Sequence, residues 1–257
     1  MTPAATGEKA ETLAPRPTPG DAGLPRRAIR YAGGSVLRVL ARVLRSPAGG
    51  WAWLRSAYLT VRYVDERTSF PAIRLRPGSR LKVQKAPDAR LSISGRLVVE
   101  SFLGQPLPAV LQLNPGSILE VNGTFTIGDD VRIKLEQGAR AVFGGAEKEN
   151  SAGITCRSIV LVRNDLRIGD DVMVSWNTFL TDTDAHAVGS APSSLPTRIG
   201  DHVWIASGAQ VLKGASIGDG CVVAAGAVVL GGDYPPRSLL AGVPARIARR
   251  GIAAWRR

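Results

Sequence analysis

Cysteine and histidine are nearly missing from this sequence. Cys156 and Cys221 are the two cysteines among 257 residues, too few for a disulfide framework. Cys221 falls on a small-residue position of the repeat described below and reads as a buried small hydrophobe. His186 and His202 are the two histidines. A catalytic zinc with an open position needs about three protein ligands, so zinc chemistry is set aside and no metal is expected. Aromatic residues make up 5% of the chain. No aromatic-and-basic strip suited to base stacking runs through the repeats, so no nucleic-acid partner is expected. No stretch approaches the ~20 apolar residues of a membrane span. The N-terminus, rich in Pro, Ala, Thr and Gly up to Gly23, lacks the apolar centre of a secretory signal. A cytoplasmic protein is expected, at most peripheral to a membrane.

Acidic residues are scarce at both ends. The formal net charge is +12. Residues 1–76 hold 13 basic and 5 acidic side chains, residues 246–257 hold five Arg and no acid, and residues 77–245 hold 15 basic and 16 acidic. The charge therefore sits outside the central stretch. An anionic membrane or a phosphate-bearing ligand explains that placement at least as well as nucleic acid does.

What the sequence does have is a period of six. Every sixth residue from Ile199 gives Ile205, Val211, Ile217, Val223 and Val229. Four positions after each aliphatic stands a compact side chain: Val203, Ala209, Ala215, Cys221 and Ala227. Six fits neither a helix at 3.6 residues per turn nor a strand alternating at two. It fits short strands joined by turns, one inward aliphatic per face, stacked as a β-helix.

These residues carry a resemblance. Ile199-Gly200-Asp201-His202-Val203-Trp204-Ile205, Ile217-Gly218-Asp219-Gly220 and Val222 to Val229 resemble the hexapeptide-repeat acyltransferases, as does the closing Ala241-Gly242-Val243-Pro244-Ala245-Arg246. The resemblance is strong over about residues 159–250 and weaker over 77–158. It implies an all-β fold, a left-handed parallel β-helix with three hexapeptides per triangular coil. Over 77–158 turn-then-strand units recur at Pro77–Val83, Pro87–Ile93, Pro115–Val121 and Gln137–Phe143. About seven coils at roughly 4.8 Å each would make a prism of roughly 35 Å.

The domain reading follows. Residues 1–25 read as a disordered arm and residues 26–76 as a basic helical extension. Residues 77–245 form the β-helix, and 246–257 a basic C-terminal helix or tail. In the extension, Val36, Leu37, Val39, Leu40, Val43 and Leu44 share one side of a helix, opposite Arg38, Arg42 and Arg45. Ser46 to Gly50 reads as a break. Trp51 to Val64 is then a second apolar-basic segment. Two roles stay open for residues 35–64: a helical cap on the first coil, or an interfacial helix on anionic lipid at the inner membrane face.

The hexapeptide register breaks between Thr181 and Arg198, so a loop leaves the prism there. In the resembled enzymes the His of this loop, here His186, takes the proton of the acceptor hydroxyl as it attacks a thioester. Imidazole suits that role because it titrates near neutrality. Asp182 and Asp184 are the candidates to orient its ring. His202, at a coil corner, reads as a surface residue. By resemblance the acyl donor is acetyl-CoA, a co-substrate. Trp204 would flank its pantetheine, with Ser207, Gly208, Ala225 and Gly226 along the arm. Pro244 would turn over the adenine, and Lys213, Arg246 and Arg249 would meet phosphates. The resemblance also implies a homotrimer with sites between prisms.

The function implied is O-acetyl transfer to a sugar hydroxyl in a surface polysaccharide or glycan precursor. Sugar N-acylation and a non-catalytic β-helix scaffold are the alternatives. One departure stands out: no acid lies between Ala187 and Arg198, where maltose- and galactoside-type members place a Glu.

Overall fold

A computed structural model describes residues 46–103, 107–144, 151–187 and 189–256. Its strands form three sheets of eight, nine and seven strands, parallel except for the last strand of the nine, and visited in cyclic order as the chain advances. This is the expected left-handed parallel β-helix. Face one runs from Glu66–Arg67 to Gly232–Tyr234, face two from Ile73–Leu75 to Ser238–Gly242, and face three from Leu81–Lys85 to Val228–Val229. The six aliphatics from Ile199 to Val229 are buried, at most 3% exposed, and so are the five compact residues four positions on. The inward column read from the sequence is therefore the core of the prism. In the middle coils it widens to hold Phe125 stacked on Phe143, with ring centroids 4.9 Å apart.

The Ile-Gly-Asp triplets have a visible reason. The carboxylate of Asp201 accepts the amide of Asp170 at 2.8 Å, and that of Asp219 accepts the amide of Asp201 at 2.8 Å. Each Asp thus satisfies a corner donor in the preceding coil, where no sheet partner reaches. The glycine before each donor must leave the next coil's carboxylate room: a Cβ on Gly169 would sit 2.3 Å from Asp201 Oδ1.

The coiling begins earlier than Pro77. Glu66–Arg67 and Ile73–Leu75 already pair with the second coil, and Ile73 and Leu75 are buried. This coil lacks the Gly-Asp corner that marks the later ones, so its register is silent in sequence. At the other end, residues 245–250 are neither helix nor free tail. Ala245–Arg250 folds back antiparallel onto Ser238–Gly242, and Val243-Pro244, joined by a cis peptide bond, makes the turn.

Ser46 to Gly50 starts a helix rather than breaking one. Ser46 caps the helix Pro47–Tyr63 by accepting the Gly49 amide at 3.2 Å, and Pro47 stands in the first turn, where a missing N–H costs nothing. The expected helix over 35–44 lies outside the described residues. The Pro47–Tyr63 helix covers the open edge of Ile73–Leu75. The Ser56 hydroxyl accepts the Leu75 amide at 2.8 Å and Thr60 Oγ1 accepts the Ile73 amide at 3.0 Å. Two side chains thereby stand in for the strand that the first coil lacks. The helix is the cap of the prism.

Candidate active site

The excursion between Phe179–Thr181 on face three and Thr197–Ile199 on face one is tied down at its root. Asp182 is fully buried, and its two carboxylate oxygens accept the amides of Arg163 at 2.8 Å and Asn164 at 2.7 Å. Burial pushes its carboxyl above the ordinary carboxylate range, while those backbone bonds pull the other way. Thr183 bridges Ser194 across the loop. The Asp184 amide donates to Ser193 at 2.8 Å and the Leu195 amide to Asp182 at 2.9 Å. Arg163 reaches over from the preceding coil and donates to the Ala185 carbonyl at 2.8 Å. Ala185 takes the left-handed conformation, φ 63°, which turns the chain just before His186. His186 itself is exposed, and among the described residues its ring has no hydrogen-bond partner.

Three expected roles change here. Neither Asp182 nor Asp184 orients His186. Asp182 holds the root of the loop, and the Asp184 carboxylate is ion-paired with the Lys213 ammonium. Lys213 also donates to the Pro192 carbonyl at 2.7 Å, so in this chain its ammonium is engaged on the loop. Each group is bonded within or at the root of the loop that carries His186.

Trp204, Ser207, Gly208, Ala225 and Gly226 do come together. Trp204 starts a strand of face two, directly above Val222 in the next coil. Ser207-Gly208 and Ala225-Gly226 stack at the following corner, where the Gly226 amide donates to the Ser207 carbonyl at 3.0 Å. Gly208 and Gly226 have φ 74° and 68°. The row continues from Trp204 through Val222 and Leu239 to Arg249, about 14 Å at ~4.8 Å per strand. Pro244 and Arg246 lie at the same end, both exposed. Within one chain His186 does not join this row: its loop leaves from the corner between faces three and one, while the row runs along face two.

His202 is not an idle surface residue. Its Nδ1 lies 2.7 Å from Asp171 Oδ2 and its Nε2 lies 3.1 Å from the Trp255 carbonyl oxygen. Trp255 donates its indole N–H back to the His202 carbonyl at 2.8 Å. Its ring stands 6.3 Å from that of Trp204. The C-terminal residues thus lie across the corner beside Trp204. The signal that could have found this is Trp255 itself, the single aromatic in the basic tail 246–257. Among the described residues no cluster of three or more His, Cys, Asp or Glu could hold a metal.

Comparison with known proteins places residues 196–231 in the bacterial transferase hexapeptide family, six repeats. Galactoside O-acetyltransferase of Escherichia coli is 39% identical over 88 residues, 32% of this chain and 42% of that protein. A Mycobacterium tuberculosis protein provisionally named an acetyltransferase is 28% identical over 145 residues, 53% of this chain and 46% of that protein. The chain spans less than half the length of the curated relatives it matches. A hexapeptide-repeat acetyltransferase of Vibrio cholerae, solved with acetyl-coenzyme A, is 26% identical with a TM-score of 0.42, covering 53% of this chain and 71% of that one. Residues 196–231 of the prism therefore match the hexapeptide repeats of bacterial transferases, and the chain is similar over part of its length to acetyltransferases.

Proposed function

We propose that this protein transfers acetyl from acetyl-CoA to a sugar hydroxyl, with His186 as general base. The observation that carries the reading is the loop around residue 186: Asp182 roots it on the Arg163 and Asn164 amides, Arg163 and Lys213 donate to its Ala185 and Pro192 carbonyls, and Lys213 also pairs with Asp184, while among the described residues the exposed imidazole has no hydrogen-bond partner. A tethered base is worth more than a mobile one, because holding the reacting groups in position lowers the entropic part of the barrier.

In the step, a ring nitrogen of His186 takes the proton of the acceptor hydroxyl. The oxygen bonds to the thioester carbonyl carbon, the C–S bond breaks, and the imidazolium returns the proton to the departing thiolate. The arm of the donor lies along the row that starts at Trp204, where small residues at Gly208, Ala225 and Gly226 allow close approach to the backbone. Arg246 and Arg249, at the far end of that row, meet its phosphates as forks. His186 and the row lie on different sides of one prism, so the complete site takes the imidazole from a neighbouring chain. A three-fold rotation closes such a head-to-tail arrangement. The acceptor is a glycan or glycan precursor.

Two experiments test this. Isothermal titration with acetyl-CoA should show binding; none at millimolar donor would favour a scaffold. Mixing His186→Ala chains with chains altered in the donor row (Gly226→Trp) should restore transfer that neither has alone. A mixture as inactive as its parts, with oligomers shown to exchange, would contradict a site shared between chains.

A further inference from the structure

The cap helix presents to solvent a face that the prism does not use. Trp51, Leu54, Tyr58 and Val61 are 65%, 42%, 63% and 66% exposed. At 100° per residue they fall within an arc of about 80°. Ala52, Ser56, Leu59 and Thr60, the residues packed on the first coil, lie on the opposite side. The stripe is thus a second apolar face, facing away from the core. Arg55 and Arg62 border it along one flank, and neither is paired with a carboxylate among the described ion pairs. Phe70, 53% exposed, stands at the same end of the prism, with Arg67 over its ring at 5.8 Å.

The helix that carries this stripe has arginine as its only charged residue type, with Asp65 and Glu66 following it in the chain. From residue 22 to residue 64 the sequence holds eight arginines and no acidic residue. A soluble protein partner would meet such a surface through carboxylates held in a matching pattern. An anionic bilayer meets it without any pattern, since tryptophan and tyrosine settle at headgroup depth and arginine reaches lipid phosphate.

We propose that the outer face of the Pro47–Tyr63 helix is a docking surface for an anionic lipid bilayer, and that the protein stands on the membrane by the capped end of its prism. The His186 loop leaves between the fifth and sixth coils, so docking holds it roughly 20 Å from the first coil at ~4.8 Å per coil. An acceptor carried on a lipid would then reach the loop only with several sugar units between lipid and reacting hydroxyl. The docking itself does not depend on the transferase reading.

The test is co-sedimentation of the full chain with vesicles of phosphatidylcholine containing about one third phosphatidylglycerol, against vesicles of phosphatidylcholine alone. The expected result is binding to the anionic vesicles only, weakened at least tenfold in the double variant Trp51→Ser/Tyr58→Ser and also in Arg55→Glu/Arg62→Glu. Because these side chains are exposed, thermal melting and acetyl-CoA binding of both variants should match the parent, which separates loss of docking from misfolding and from failure of the proposed chemistry. Equal binding to neutral vesicles, no binding at all, or binding unchanged in the Trp51/Tyr58 variant would overturn the proposal. The last result would mean that the stripe is covered by something else, either residues 36–44 or a second copy. Self-association lost in the Trp51/Tyr58 variant without vesicles present would equally count against it.

Discussion

The indole of Trp255 lies parallel to the imidazole of His202, with ring centroids 4.5 Å apart and planes 9° from parallel. This contact fastens the last described residues to a corner of the prism, beside Trp204. The Ile252 amide adds a bond to the Arg237 carbonyl at 2.9 Å. Trp255→Ala should lower stability by about 1–2 kcal/mol, mostly lost ring contact. Hydrogen exchange at the Ile252 amide should rise to the rate of a frayed end. An unchanged exchange rate there would show that the segment is held by something other than the stacked pair.

Lys213 offers a choice between two roles. If its ammonium serves the loop through Asp184 and Pro192, Lys213→Ala should loosen His186. Transfer should then fall about tenfold, as expected when a catalytic group loses its fixed position, with affinity for acetyl-CoA intact. A drop in acetyl-CoA affinity with an unaltered turnover would restore Lys213 to the phosphates. Steady-state kinetics with varied donor decides between them.

Asp182 gives a pH signature. Burial raises its folded-state pKa above the ordinary 3.8, so the native chain holds this proton more tightly than the unfolded one. Its contribution to stability is full below the unfolded value and is lost as pH rises through the folded one. The urea stability of the parent minus that of Asp182→Asn should therefore shrink as pH rises from 3.8 and then level off. A difference that grows with pH would mean that the Arg163 and Asn164 amides outweigh burial. At neutral pH the variant should still be less stable, by about 1–2 kcal/mol, because an amide nitrogen cannot accept the second backbone N–H.

Ser56→Ala leaves the Leu75 amide buried without an acceptor, since the Ser56 hydroxyl is its partner at 2.8 Å. The cost should be about 1–3 kcal/mol, visible in thermal melting. A neutral substitution would show that water reaches this strand edge and that the helix does not seal it.

The six-residue column was fully legible because every coil from Ile199 onward repeats one rule: an aliphatic inward, a compact residue at the corner, glycine before aspartate. The first coil was not legible. Its edge is satisfied by Ser56 and Thr60 from a helix, and no local repeat announces that. The break in register disclosed the loop, but not the work of its charged residues. Asp182 and Asp184 looked like partners for His186 because they are near it in sequence, whereas a turn at Ala185 and a buried root send them elsewhere. A corner position reads as surface for His202 because it says nothing of a tryptophan 53 residues further on.

The most direct test of the account is acetyl transfer to a sugar hydroxyl by His186→Ala beside the parent, at saturating acetyl-CoA. Transfer should fall roughly 10²–10⁴-fold, with oligomeric state and acetyl-CoA affinity unchanged. Transfer surviving within a few-fold of the parent would contradict it.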